Sequence, residues 1–306
     1  MSTPLVTVVI PAYNHENFIG EAVESVLNQT FSDFELIVVD DGSTDKTGEI
    51  VQSYRDERLN YYYQENQDAY NTINRGINLA SGKYISILNS DDVYLLDRLE
   101  RLVNECEQNN LQCVFTDVIP ISDQGVVYHQ PDFGWNVWHQ KNRSFYFQCA
   151  DLYIAFLKGN FMVTTSNLFI SAQAAAAVGP FSSLRYLHDY DFIFRVLEKF
   201  PAKTRYLHDQ QLVKYRIHGG NTLGEAAITG RLQDQELIRK YLLRKIASES
   251  HPYVEAASDR LIELEQELAE VRRQLNQGQN QGVKHALKNL LNSSKIWFAK
   301  QMKGTE

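Results

Sequence analysis

The sequence predicts an α/β protein: a Rossmann-like, mainly parallel sheet flanked by helices, followed by a C-terminal helical extension. Three observations predict it. Short β-rich runs alternate with helix-period patterns through the first half of the chain. Several of these runs, ELIVV at 35–39 among them, are continuously apolar, as strands covered on both faces are. Beyond about Gly230 the pattern changes to apolar residues three and four apart.

Taken in order, a strand over Leu5–Ile10 leads to a helix over Phe18–Asn28, and a strand over Glu35–Val39 to a helix over Asp45–Tyr54. Leu59–Gln64 and Asn71–Ala80 repeat the unit, as do Tyr84–Leu88 and Leu95–Asn109, and Cys113–Phe115 opens a further strand. Parallel strands need such crossovers, and their ligands bind beyond the carboxyl ends of the strands, so chemistry is sought in the residues that follow each run. From about Gly125 to Gly159 no period is visible. Trp135, Trp138, Phe145, Tyr146 and Phe147 make this segment aromatic, and it reads as irregular, filling a core or facing a ligand.

Three regions follow from this pattern: 1–230 as the main domain, 231–276 as a helical extension, and 283–303 as a terminal helix. In the extension Val254, Ala257, Leu261, Leu264, Leu268, Val271 and Leu275 form a short heptad seam. With Val254, Leu261 and Leu268 at a, Arg260 and Glu267 fall at g, and Glu265 and Arg272 at e, so a parallel homodimer would pair opposite charges. A single amphipathic helix packed on its own domain fits the same seam. The polar stretch 276–282 precedes a helix with Val283, Leu287, Leu290, Leu291, Trp297, Phe298 and Met302 on one face, decorated by Lys284, Lys288, Lys295, Lys300 and Lys303. A basic face with interfacial aromatics suits the peripheral surface of an anionic membrane, and docking on protein suits it equally.

Composition narrows the partners. With 306 residues, 43% hydrophobic, the chain is long enough for a large core and lies far from disordered composition. A net charge of −8 argues against non-specific nucleic-acid binding. Cys106, Cys113 and Cys149 form neither a CxxC pair nor an even disulfide set, which points to a reducing compartment. The opening MSTPLVTVVIP lacks a basic n-region, and no apolar run has membrane-spanning length. A cytoplasmic protein, peripheral at most to the inner face of a membrane, is the expectation.

Five polar clusters carry the chemistry. Pro11, Ala12, Tyr13 and Asn14 end the first strand, and Asp40-Asp41-Gly-Ser-Thr-Asp45 ends the second. Carboxylates there can accept from a uracil-type base or a ribose, with Tyr13 stacking on the base. The same DDGSTD residues also serve a simple turn and helix cap. Asn89-Ser-Asp91-Asp92 follows YISIL. Two adjacent carboxylates repel unless a cation joins them, and a hard, oxygen-ligated divalent ion such as Mg2+ or Mn2+ does so, bridging a diphosphate. In His188-Asp-Tyr-Asp191, Asp189 is a candidate general base for a hydroxyl, while Asp191 pairs structurally with Arg195 four residues on. Tyr215-Arg-Ile-His218-Gly-Gly places an imidazole where it can reach a metal or phosphate.

In content, order and spacing, PAYN, QTFSDFELIVVDDGSTD, GKYISILNSDD, LHDYDFIFR and YRIHGGN resemble the inverting family 2 glycosyltransferases of GT-A fold, across about residues 5–222. The resemblance implies a nucleoside site at Pro11, Ala12, Tyr13, Asn14, Asp40 and Asp41, with Asn89 and Asp91 toward the diphosphate. It implies metal ligation by Asp91, Asp92 and His218, and catalysis by Asp189. The reaction it implies is single displacement with inversion: a sugar passes from a nucleotide-sugar donor, UDP-sugar favoured, to a glycan or lipid-linked acceptor, in cell-surface polysaccharide or lipid-linked glycan synthesis. Two positions depart from the family. Asn89 stands where an aspartate is frequent, and Asp68 follows Asn66-Gln67 where a glycine is frequent. A catalytically silent domain that binds nucleotide sugar, or that scaffolds a complex through the coiled coil, is the rival reading, disfavoured by the retained Asp91, Asp92, Asp189 and His218. A nucleotidyltransferase is a further rival, disfavoured because PAYNHENF offers no glycine-rich basic loop.

Overall fold

The computed structural model describes residues 3–219 and 229–276. The chain divides into two compact units, 1–221 and 222–306, so the first ends somewhat before the boundary expected at 230. The first unit opens with three β–α pairs: β1 (Val6–Ala12), α1 (Ile19–Leu27), β2 (Phe34–Asp40), α2 (Thr47–Ser53), β3 (Leu59–Tyr63) and α3 (Ala69–Leu79). After β4 (Tyr84–Ile87) come β5 (Val93–Tyr94), α4 (Arg98–Asn109) and β6 (Cys113–Ser122). The unit then continues through α5 (Gly134–Cys149), α6 (Leu152–Lys158), β7 (Phe169–Ser171), α7 (Ala172–Val178), α8 (His188–Lys199) and β8 (Thr204–Ile217).

One sheet holds all eight strands in the order β3-β2-β1-β4-β7-β6-β8-β5. The four N-terminal strands are parallel, as the alternating pattern requires, and β6 and β8 are parallel to each other. β7 runs antiparallel to β4 and β6, and β5 antiparallel to β8, so the sheet is mixed beyond β4. Val8, Ile10, Leu36 and Val38 are fully buried and pack with Ile19, Val23 and Val26 of α1 in the core that fixes the strand ends. On the other side α3 lies so close to β1 that a Cβ on Gly76 would stand 2.2 Å from a methyl of Val9.

The segment expected to be irregular is helical. α5 and α6 occupy most of it, and their lack of visible apolar period has a physical cause: the buried positions of α5 are His139 and Asn142. This helix is pinned to the sheet by polar contacts. Asp117 of β6 receives Tyr206 Oη, lies 3.1 Å from His139 Nε2 and pairs with Arg143 Nε at 2.9 Å. The register of β6 against β8 shifts on either side of Asp117, and this irregularity, with Pro120, hid the full length of both strands.

In the second unit, α9 (Thr229–Leu243) packs against α10 (His251–Asn276), with Arg239 2.8 Å from Asp259. α10 carries the expected seam; Leu261 is exposed, Val254, Leu264 and Leu268 are half-buried and Val271 is buried. Arg260 engages Glu263 and Glu267 of its own helix. The terminal helix expected at 283–303 lies outside the described residues. Among those described, no helix is long and apolar enough to cross a membrane.

Candidate active site

The loops after β1, β2, β4 and β8 meet at one edge of the sheet, and the first two are tied together by their own side chains. Asn14 adopts a left-handed φ of 51°; its backbone N–H donates to Ser43 Oγ at 3.0 Å, and its Oδ1 accepts from Thr44 N at 2.8 Å. Asp45 accepts from Glu16 N and from Thr47 N, both at 2.9 Å, and these donors hold its pKa below the ordinary carboxylate value despite an opposing desolvation effect. Gly42, at φ 81°, turns the DDGSTD loop where a Cβ would meet Asn66 N at 2.9 Å. Tyr13 is left half-exposed at the rim.

The two adjacent aspartates of this loop differ. Asp40 is structural: Oδ1 accepts from Ser43 N at 2.8 Å and Oδ2 from Tyr61 Oη at 2.7 Å. Pro11 and Ala12 belong to β1, where Ala12 O accepts Asp41 N at 2.8 Å. Asp41 has Oδ1 fixed by Gln64 Nε2 at 2.6 Å and Gln67 N at 2.9 Å. Its Oδ2 finds no hydrogen-bond partner among the described residues, so a preset carboxylate oxygen can take a donor from a nucleobase.

After β4, Asp91 and Asp92 also separate. Asp91 Oδ2 lies 2.9 Å from His218 Nε2, and its carbonyl accepts Arg216 Nε at 2.7 Å. His15, unremarked in the sequence, completes a group in which His15, Asp91 and His218 each offer a ligand atom within 4.8 Å of the others. His15 Nδ1 lies 2.7 Å from Ser90 Oγ, and Phe18 packs on both imidazoles. Burial holds the His15 pKa below its usual value, partly opposed by Asp91, which favours the neutral ring a ligand needs. Two imidazoles and a carboxylate fit a divalent ion of intermediate hardness, Mn2+ better than Mg2+. The sequence signal for His15 was its place directly after PAYN.

Asp92 departs from expectation. It is 1% exposed; Oδ1 accepts Arg216 N at 2.9 Å, and Oδ2 accepts Ser166 Oγ at 2.5 Å and Thr164 Oγ1 at 3.2 Å. Both oxygens are thus occupied by protein donors, and desolvation, reinforced by Asp91, raises its pKa. Asp92 ties β4 to β8 and to the 3-10 turn at 165–167, outside the His15–Asp91–His218 group. Asn89 turns the same way: its N–H donates to Ser166 Oγ at 2.9 Å and its Nδ2 to Thr164 Oγ1 at 3.0 Å, so its amide nitrogen is held by the scaffold.

Asp189 sits in the first turn of α8, 8% exposed. Burial raises its pKa, the neighbouring His188 and an Asn160 hydrogen bond oppose the rise, and Asn160 Nδ2 lies 3.1 Å from Oδ2. Asp191 is fully buried against Arg195 Nε and Ser182 Oγ, at 2.8 and 2.7 Å, the structural role expected of it. Tyr215 stands between the two halves: its phenol is pushed upward by burial and by Asp92, Asp91 and Asp189 together. Trp135 of α5 stacks on Tyr215 at 6.1 Å.

Comparison with known proteins identifies the family and the fold. The family model described as glycosyl transferase family 2 matches residues 7–166. An uncharacterized glycosyltransferase of Rickettsia typhi is 30% identical over 256 residues, covering 81% of this chain and 74% of that protein. The uncharacterized glycosyltransferase EpsJ of Bacillus subtilis is 34% identical over 174 residues, 49% of this chain and 51% of EpsJ. S. aureus TarS 1-349 in complex with UDP-GlcNAc aligns with a TM-score of 0.60 at 19% identity, over 84% of this chain and 70% of that one. The chain spans 42% of the longer TarS structure. The mannosyltransferase PcManGT from Pyrobaculum calidifontis, in complex with GDP-Man and Mn2+, aligns with a TM-score of 0.57 at 17% identity, over 99% of this chain and 85% of that one. At these identities the solved structures establish the fold, which is that of the GT-A glycosyltransferases, and the sequence matches establish the rest: the chain belongs to the glycosyl transferase family 2.

Proposed function

We propose that the protein is an inverting glycosyltransferase that moves a sugar from a nucleoside-diphosphate sugar, UDP-sugar favoured, to a hydroxyl of a glycan or lipid-linked acceptor. The observation that carries this reading is the grouping of His15, Asp91 and His218 beyond the strand ends that also carry Asp41. Asp41, with Tyr13 at the rim, is positioned for the base, and Asn14 holds the loop that frames it. A Mn2+ or Mg2+ held by the triad would supply Lewis-acid neutralisation of the diphosphate as it departs. That the solved PcManGT complex contains GDP-Man and Mn2+ supports the pairing of donor and metal.

Asp189 is the general base. Its burial keeps water from competing for the carboxylate and raises its affinity for a proton, as deprotonating a sugar hydroxyl during displacement requires. A single displacement inverts the anomeric centre. The reading extends to glycan synthesis at the cytoplasmic face of a membrane, with the 283–303 segment as a peripheral contact and the α10 seam joining two copies.

Calorimetric titration with UDP, GDP and dTDP, each with and without Mn2+, tests the core of this proposal. Binding of one nucleotide that requires the metal is the expected result. Absence of binding to all three would favour a silent scaffold.

A further inference from the structure

We infer that Asn160 belongs to the acceptor subsite: its amide nitrogen holds the base Asp189, and its carbonyl oxygen takes a second hydroxyl of a sugar acceptor, beside the one that reacts. This rests on the glycosyl-transfer reading above and adds the chemical class of the acceptor, a polyol ring rather than a lone alcohol.

The amide orientation is fixed by its partner. An ionised carboxylate only accepts, so the contact of 3.1 Å to Asp189 Oδ2 must come from Nδ2, and Oδ1 is turned away from Asp189. Asn160 Oδ1 is buried and has no hydrogen-bond partner among the described residues. Buried carbonyls are nearly always satisfied, so an orphan next to a catalytic carboxylate marks a place where a ligand donor belongs. A carboxylate and an amide carbonyl held side by side match two neighbouring hydroxyls of a pyranose. A lone alcohol would satisfy only the carboxylate.

The loop that carries Asn160 is held rigidly. Val163 has φ 79°, a conformation that a β-branched residue keeps only when its surroundings impose it. On one side of it Val163 N donates to Asn160 O at 3.2 Å, and on the other Thr164 and Ser166 anchor to Asp92. The base and the metal-side strand end are therefore spanned by one short connection. Tyr215, stacked on Trp135, offers an aromatic surface for the apolar face of a sugar ring.

In the step itself, the reacting hydroxyl gives its proton to Asp189 and its oxygen bonds to the anomeric carbon. The bond from that carbon to the diphosphate breaks, and the electron pair leaves with the diphosphate. The neighbouring hydroxyl donates to Asn160 Oδ1 and exchanges no proton.

The test uses the full chain with Mn2+ and the nucleotide sugar whose nucleotide binds. Acceptor probes are octyl glycosides of glucose, galactose, mannose and N-acetylglucosamine, their monodeoxy analogues, and 1-octanol as a single-hydroxyl control. The wild type is expected to prefer one glycoside over a monodeoxy analogue by roughly tenfold or more in kcat/KM, the scale of one lost hydrogen bond at a buried partner. In Asn160→Ala that preference collapses, while metal-dependent nucleotide binding is retained; Asn160→Ser repeats the measurement with a smaller disturbance of the loop. A preference that survives in both variants overturns the assignment, as does donor turnover in which no glycoside is favoured over 1-octanol. A wild type without metal-dependent nucleotide binding overturns the glycosyl-transfer reading itself, and the acceptor assignment falls with it.

Discussion

His218 Nε2 stands 2.9 Å from Asp91 Oδ2, although 127 positions separate the two residues in sequence. The contact joins the end of β8 to the end of β4, and His15 from the β1 loop closes the group. If these three hold the divalent ion, Asp91→Asn, His218→Ala and His15→Ala each weaken Mn2+-dependent nucleotide binding by at least about tenfold, the scale seen for disturbed metal sites. Calorimetry in the absence of metal should show no comparable difference between variants and wild type. A His15→Ala variant with unchanged Mn2+ dependence would remove His15 from the set.

Asp92 allows a sharper separation of roles. Its three donors are a backbone N–H and two hydroxyls, and hydroxyls can reverse direction. An asparagine can accept from Arg216 N through Oδ1 and donate to Ser166 Oγ through Nδ2, while Thr164 Oγ1 keeps the donors it already has in Asn89 Nδ2 and Ser166 N. Asp92→Asn is therefore expected to keep metal-dependent nucleotide binding within about threefold of wild type. Asp92→Ala, which leaves the buried Arg216 N–H and the hydroxyl proton of Ser166 without their acceptor, costs about 1–3 kcal/mol per orphaned group and weakens binding indirectly. A metal ligand would instead lose affinity in both variants, and a pairwise titration with Mn2+ decides between them.

The parallel half of the sheet was legible because β1 to β4 are bounded by turn residues and filled by runs such as ELIVV, which admit few other structures. The far half was not. β7 is three residues long, β8 is interrupted by polar side chains and a register shift, and α5 buries His139 and Asn142 where a helical period needs apolar residues. At the site, the residue types were visible but their division of labour was not. Adjacent residues at a strand end diverge to different partners, so Asp40 and Asp92 turn inward while Asp41 and Asp91 face the site. Neither these directions nor the approach of His15 to Asp91 leaves a mark in local spacing.

Gly76 offers a stability test independent of catalysis. Replacing a glycine inside a helix by alanine ordinarily stabilises by about 1 kcal/mol. Here the new Cβ would fall 2.2 Å from a methyl of Val9, which is fully buried in a central strand and cannot withdraw. Gly76→Ala is expected to destabilise by about 1–3 kcal/mol, with a lower Tm. A Tm at or above that of the wild type would show that α3 can shift away from β1.

Asp189 combines a catalytic and a stability prediction of opposite sign. Desolvation by burial raises its folded-state pKa, with the charge of His188 and the hydrogen bond from Asn160 working against the rise. The base must be ionised to act, so the acid limb of the kcat/KM profile is expected above the range of an ordinary carboxylate, with activity falling as pH drops through the raised pKa. For stability, the folded state binds the proton more tightly than the unfolded chain, so the contribution of Asp189 is favourable below its unfolded pKa and is lost as pH rises through the folded one. At neutral pH the ionised, buried carboxylate is then a liability retained for function. Asp189→Asn should abolish transfer while leaving metal-dependent nucleotide binding nearly intact, and should raise Tm relative to wild type at pH 7.5 more than at pH 4. Equal loss of nucleotide binding in this variant would contradict the assignment of Asp189 to the acceptor side, and a Tm difference that does not change with pH would contradict the raised pKa.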